Sequence, residues 1–70
     1  MYYVIKMSAD IPGNYPETYY CREAPGHSHT AEVAFSRAAK TAYAQANGIA
    51  ENEVRVGSIY QSAKPKGEEI

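Results

Sequence analysis

One alanine-rich helix has to cover the β-strands of this chain, and that requirement limits the folds it can adopt. Alanine recurs at helical spacing between Thr30 and Asn47. A single helix covers only one face of a small sheet. The flanking strands carry apolar or tyrosine residues on both faces, so the sequence predicts one covered face and one open face.

Two strands are predicted before the helix. Residues 2–9 alternate, and Tyr3 lies on the face expected to pack inward. Residues 17–24 form the second strand, in which Tyr19 and Cys21 share one face. Free cysteine is among the most buried residue types, so the face that carries Tyr19 and Cys21 is also predicted to lie beneath the helix.

The helix has recognisable ends. Ser28 or Thr30 can cap its first amide groups, and Asn47-Gly48 can end it because glycine readily adopts the left-handed conformation. At about 100° per residue, one stripe is predicted to face the sheet. Its members are Ala31, Ala34, Phe35, Ala38, Ala39, Ala42 and Ala46.

A third strand is predicted over residues 53–61, with a possible bulge at Gly57 that exchanges the faces of Ile59 and Tyr60. The order indicates a two-layer α+β fold, ββαβ, with a three-stranded antiparallel sheet in the order 2-1-3 and one helix on one face. Residues 1–62 form the expected single domain, and residues 63–70 a flexible polar C-terminal tail.

Composition narrows the class of protein. Seventy residues with a formal net charge of −1 and 44% hydrophobic content describe one small folded domain. The near-neutral charge lacks the basic excess expected of a dedicated nucleic-acid binder. Cys21 is the only cysteine, so no intrachain disulfide can form. With neither a signal-peptide pattern nor a transmembrane stretch, the expected location is the cytoplasm.

No catalytic or metal-binding pattern stands out. His27 and His29 could lie on one side of an extended segment, but no third ligand accompanies them, and zinc sites need three or four. A catalytic role for Cys21 would need an activated thiolate and an oxyanion site, which the sequence does not indicate. We expect no enzyme activity and no cofactor.

The open face is the predicted partner-binding surface. The chain has seven tyrosines, and tyrosine and arginine are enriched at the centres of protein interfaces. The 10–16 loop could extend this surface. The expected anchors are Tyr2, Val4, Tyr20 and Arg22, followed by Arg55 and Tyr60. The expected partner is another protein, and a homodimer through the same face is the competing interpretation.

Single-stranded nucleic acid is the alternative partner. Exposed sheet tyrosines could stack on bases while Lys6, Arg22 and Arg55 contact phosphates. Eight acidic residues offset the seven basic ones, which weakens this alternative. Binding that falls steeply with salt would favour it.

The strand-strand-helix-strand order over residues 2–61 resembles the small inhibitors encoded by bacteriophages, including anti-CRISPR proteins. The likeness is one of size, charge, lone cysteine and element order. It implies a protein that sterically blocks a larger bacterial nucleoprotein complex. The chain differs from the strongly acidic DNA mimics of this group because Arg22, Arg37, Lys40 and Arg55 interrupt any negative surface. No family residue can be assigned by position.

Overall fold

The computed structural model describes residues 1–70, which form one α-helix packed on a mixed five-stranded sheet. This arrangement confirms the α+β class and the single helix. In chain order the elements are β1 (Tyr2–Ala9), β2 (Thr18–Glu23), α1 (His29–Asn47), a 3-10 turn (Glu51–Glu53), β3 (Val54–Val56), β4 (Tyr60–Ser62) and β5 (Glu68–Glu69). No helix combines the length and the apolar character needed to cross a lipid bilayer.

Strand β1 is the centre of the sheet. Strand β2 pairs antiparallel along one edge of β1, and β3 and β4 pair antiparallel along the other. The predicted third strand is therefore two short strands. Met7 pairs with Val56, and Val4 pairs with Tyr60. The two β1 residues are three positions apart, whereas their partners are four positions apart. The extra residue is a bulge, and it turns Tyr60 to the face of Val4, as the glycine at position 57 predicted.

The predicted antiparallel order 2-1-3 is present in the pairing of β2, β1 and β3, but the sheet is larger than predicted and includes residues 68–69 of the predicted flexible tail. Residues 68–69 form β5, which pairs parallel with β2 and gives the order β3-β1-β2-β5. The Ile70 amide donates to the Cys21 carbonyl oxygen at 2.9 Å, and Arg22 Nε donates to the Ile70 carbonyl oxygen at 2.9 Å. Segment 63–70 is thus part of the domain.

Pairing register separates the two faces of the sheet. Ile5 lies opposite Tyr20 and Tyr3 opposite Arg22, and directly paired residues share a face. Tyr3, Ile5 and Tyr20 belong to the core cluster that includes the helix. Tyr20 and Arg22 therefore lie on the helix face. The prediction that Tyr19 and Cys21 occupy that face is wrong. They alternate with Tyr20 and Arg22 along β2 and so lie on the opposite face of the sheet.

The helix begins and ends where its capping residues predicted. The Ser28 side chain accepts a hydrogen bond from the Ala31 amide, and Gly48 follows the last turn with φ 65°. Its packing stripe is rotated from the predicted one. Phe35, Ala39 and Tyr43 are fully buried, whereas Ala34 and Ala46 from the predicted stripe are exposed.

Tyr43 explains this rotation. A large side chain contributes more to burial than alanine does, so the helix turns to bury the tyrosine ring. The Tyr43 hydroxyl donates to the Pro16 carbonyl oxygen at 2.5 Å, which satisfies the hydroxyl and fastens the end of the 10–16 loop. At the other end of the core, the Tyr3 hydroxyl donates to the Gly26 carbonyl oxygen at 2.8 Å.

Candidate interaction surfaces

The face of the sheet opposite α1, called the second face, is only partly open. By register it carries Tyr2 and Val4 from β1, Tyr19 and Cys21 from β2, Arg55 from β3, and Tyr60 from β4. Val4 and Cys21 at its centre are both 0% exposed. Since the helix packs on the other face, these two side chains need another cover.

The cover is the chain segment between β4 and β5, residues 63–67, called the crossing segment. Strand β4 pairs with the outer edge of β1 and β5 with the outer edge of β2, so the connection has to pass across both strands. Lys66 Nζ lies 3.9 Å from the centre of the Tyr19 ring, on the second face. The crossing segment therefore covers the middle of the surface that was predicted to be open.

The predicted anchors divide into three groups. Tyr20 is 2% exposed in the helix core, and Val4 is 0% exposed on the second face, so neither can be a surface anchor in this fold. Arg22 is half-buried, with its guanidinium carbon 5.7 Å from the centre of the Phe35 ring. Its roles are to cover the core and to hold Ile70.

The remaining three anchors do reach the second face. Tyr2 is half-buried, Arg55 is exposed and ion-paired to Asp10, and Tyr60 is 45% exposed. Burial raises the pKa of Tyr2, with smaller contributions from the nearby Glu69 and Glu23 carboxylates. The structure thus places Tyr2, Arg55 and Tyr60 around the crossing segment instead of on one continuous bare face.

A second surface, called the edge groove, lies between α1 and the β3–β4 edge and was missed by the sequence reasoning. It encloses about 370 Å³. Three apolar side chains line it: Val33, Val56 and Ile59. Val33 and Val56 are 37% and 42% exposed, which makes them two of the four exposed large apolar residues of the chain.

Polar and charged side chains surround this apolar floor. They are His29, Glu32, Ser36, Arg37 and Lys40. Arg37 and Lys40 have no carboxylate oxygen within 4.0 Å, whereas Glu32 Oε1 lies 3.2 Å from His27 Nδ1. The edge groove therefore combines an exposed apolar floor with two cations that no acidic side chain neutralises.

A smaller cavity of about 200 Å³ adjoins the edge groove and shares Glu32 and Ile59 with it. Its other lining residues include Tyr3, Tyr60 and Gln61. The two cavities together follow the outer edge of β3 and β4, where no further strand pairs. The helical period alone predicts that Val33 and Arg37 lie on one side of α1. It does not predict that Val56 lies near them, because the position of Val56 depends on the register of β3 in the sheet.

The structure brings together no group of three or more histidine, cysteine, aspartate or glutamate side chains that could hold a metal ion. His27 Nδ1 lies 3.2 Å from Glu32 of α1 and 3.3 Å from the side-chain nitrogen of Gln61 in β4. The His27 side chain therefore links the helix to β4. Comparison with protein families, curated proteins and solved structures finds no match to this chain.

Proposed function

We propose that this chain is a non-enzymatic protein-binding module and that its partner docks in the edge groove. The observation that carries the proposal is that exposed Val33 and Val56 line the same groove as Arg37 and Lys40, two cations without an ion-pair partner. An exposed apolar patch rimmed by polar groups is typical of an interaction site. The free outer edge of β3 adds backbone donors and acceptors beside it.

The test is capture of a partner from a bacterial lysate by the wild-type chain and by two variants. Val33→Ser combined with Val56→Ser removes two of the three apolar side chains of the floor, and Ala46→Ser changes an exposed helix position outside the groove. We expect the double variant to lose at least about tenfold in affinity for the captured protein, because replacing both valines removes at least about 1.4 kcal/mol of apolar burial from the complex. Ala46→Ser should bind like wild type.

Equal capture by the wild type and the double variant, with both folded by circular dichroism, would remove the edge groove from the proposal. Tyr20→Ala is not an informative binding variant, because Tyr20 lies in the helix core and its loss would test folding. Tyr60→Ala tests the second face instead, where this ring is 45% exposed.

The narrower form of the proposal is a phage-encoded inhibitor of the anti-CRISPR type, acting in the host cytoplasm by sterically blocking a nucleoprotein complex. Its support is the small size, near-neutral charge and one-helix α+β architecture. Titration of the purified chain into a reconstituted CRISPR interference reaction tests it. Undiminished target cleavage at saturating protein would exclude inhibition of that complex.

Single-stranded nucleic acid is a weaker proposal for this geometry. Tyr20, one of the sheet tyrosines predicted to be exposed, is buried, and Lys66 already lies over the Tyr19 ring on the second face. Base stacking needs an accessible aromatic face. A salt titration with a labelled oligonucleotide separates this alternative from protein binding, because phosphate contacts weaken steeply as salt rises.

A further inference from the structure

The edge groove also indicates what kind of protein segment it accepts. We propose that its occupant is an extended acidic peptide segment of a partner protein, with apolar side chains on the floor and carboxylates at the cationic rim. This inference rests on the proposed function and adds the chemistry of the partner. It is carried by the geometry of the groove and by its charge.

The positive charge of the groove lining favours an acidic peptide. Arg37 and Lys40 are separated by three positions on α1, so they project from neighbouring places on one side of the helix. Both line the groove, and neither has an ion-pair partner. The one acidic side chain of the lining, Glu32, lies 3.2 Å from His27 Nδ1, a contact that offsets its charge only when the imidazole is protonated. A carboxylate entering here would meet two cations and a single lining carboxylate, so the lining keeps an excess of positive charge.

Shape selects an extended segment over a compact ligand. The edge groove and its neighbouring cavity share Ile59 and form a trough along the unpaired edge of β3 and β4. The helix α1 contributes Val33 to the apolar floor, and β3 contributes Val56. An extended peptide places alternate side chains on opposite sides, so every second residue can reach this floor.

The experiment is a titration of the intact 15N-labelled chain with the blocked peptide Gly-Leu-Glu-Leu-Glu-Gly, followed by amide chemical shifts. We expect saturable shifts at Val33, Arg37, Lys40 and Val56. Three matched peptides separate the contributions of charge and apolar surface: glutamine in place of glutamate, lysine in place of glutamate, and serine in place of leucine. Each should bind roughly threefold to tenfold more weakly or not at all.

Variants of the protein provide the matching control. Arg37→Gln and Lys40→Gln should each weaken the acidic peptide by roughly twofold to fivefold, as partly exposed ion pairs do. Lys64→Gln removes an exposed cation of the crossing segment, outside the groove, and should leave binding unchanged. The affinity for the acidic peptide should also fall as sodium chloride is raised.

Three outcomes would overturn the inference. Equal binding of the acidic, amide and lysine peptides would show that charge does not select the ligand. Equal binding of the small carboxylate octanoate would assign the groove to small amphiphilic anions instead. No shift with any peptide, while a captured partner still depends on Val33 and Val56, would reject the acidic segment and leave the proposed function standing. If capture is also indifferent to these valines, the proposed function itself fails.

Discussion

Tyr20 illustrates how a single ring is fixed between the sheet and the helix. It is 2% exposed and belongs to the cluster that contains Phe35 and Tyr43. Burial raises the pKa of Tyr20, and the Glu68 carboxylate and the Tyr43 hydroxyl raise it further. A phenolate at this position would be desolvated and close to a negative charge. The neutral hydroxyl is therefore the form that the fold stabilises.

The raised pKa of Tyr20 predicts a loss of stability in alkali. Because the folded pKa exceeds that of the unfolded chain, the contribution is fully present below about pH 10 and is lost as pH rises toward the folded pKa. Tyr20→Phe should therefore lose less stability than wild type between pH 8 and roughly pH 11. Urea unfolding at the two pH values measures this difference. Tyr60→Phe, at an exposed ring, is the control and should follow wild type.

Elements with strong local signals could be predicted from sequence. The cap at Ser28, the stop at Gly48 and the bulge after Val56 depend on residues close together in the chain, and all three are present. The face of β2 was assigned wrongly, because strict alternation does not say which face meets the helix. Cys21 is buried as expected, but under the crossing segment instead of under α1.

The pairing of β5 could not be predicted for a different reason. Its two residues, Glu68 and Glu69, have low strand propensity and no apolar pattern, so the backbone pairing depends on contacts distant in sequence. The same holds for the edge groove, since Val33 and Val56 come from separate elements. A site assembled by register is visible only after the register is known.

Gly67 is the residue on which the attachment of β5 depends most directly. Its φ is 80°, and a Cβ here would overlap the carbonyl oxygen of Tyr19. Gly67→Ala should detach β5 and the crossing segment, destabilising the fold by about 1–3 kcal/mol. It should also expose Cys21, the only thiol, which is 0% accessible in the native fold. The measurement is the rate of thiol labelling under native conditions.

Gly26→Ala is the matched control for this prediction. No atom lies within 4 Å of the place where its Cβ would be, and its φ is not in the left-handed region. Its thiol labelling should equal that of wild type. Unchanged labelling in Gly67→Ala would mean that the crossing segment does not protect Cys21. Another part of the chain would then have to bury it.

At the scale of the whole molecule, both outer edges of the sheet discourage pairing between copies. Strands β3 and β4 have three residues each and are separated by the bulge. At the opposite edge, β5 consists of Glu68 and Glu69, whose like charges would meet if two copies paired there. Short, charged and bulged edges are the features by which sheets avoid such association.

These edges predict a monomer, in contrast to the homodimer that the tyrosine content alone allows. Light scattering and sedimentation over a dilution series should give the mass of one chain throughout, because the short, bulged and charged edges offer no continuous strand for a second copy to pair with. A dimer at low micromolar concentration would contradict this prediction. If Val33→Ser combined with Val56→Ser then restored the monomer, a second copy would be the occupant of the edge groove, and the acidic-peptide assignment would fall with it.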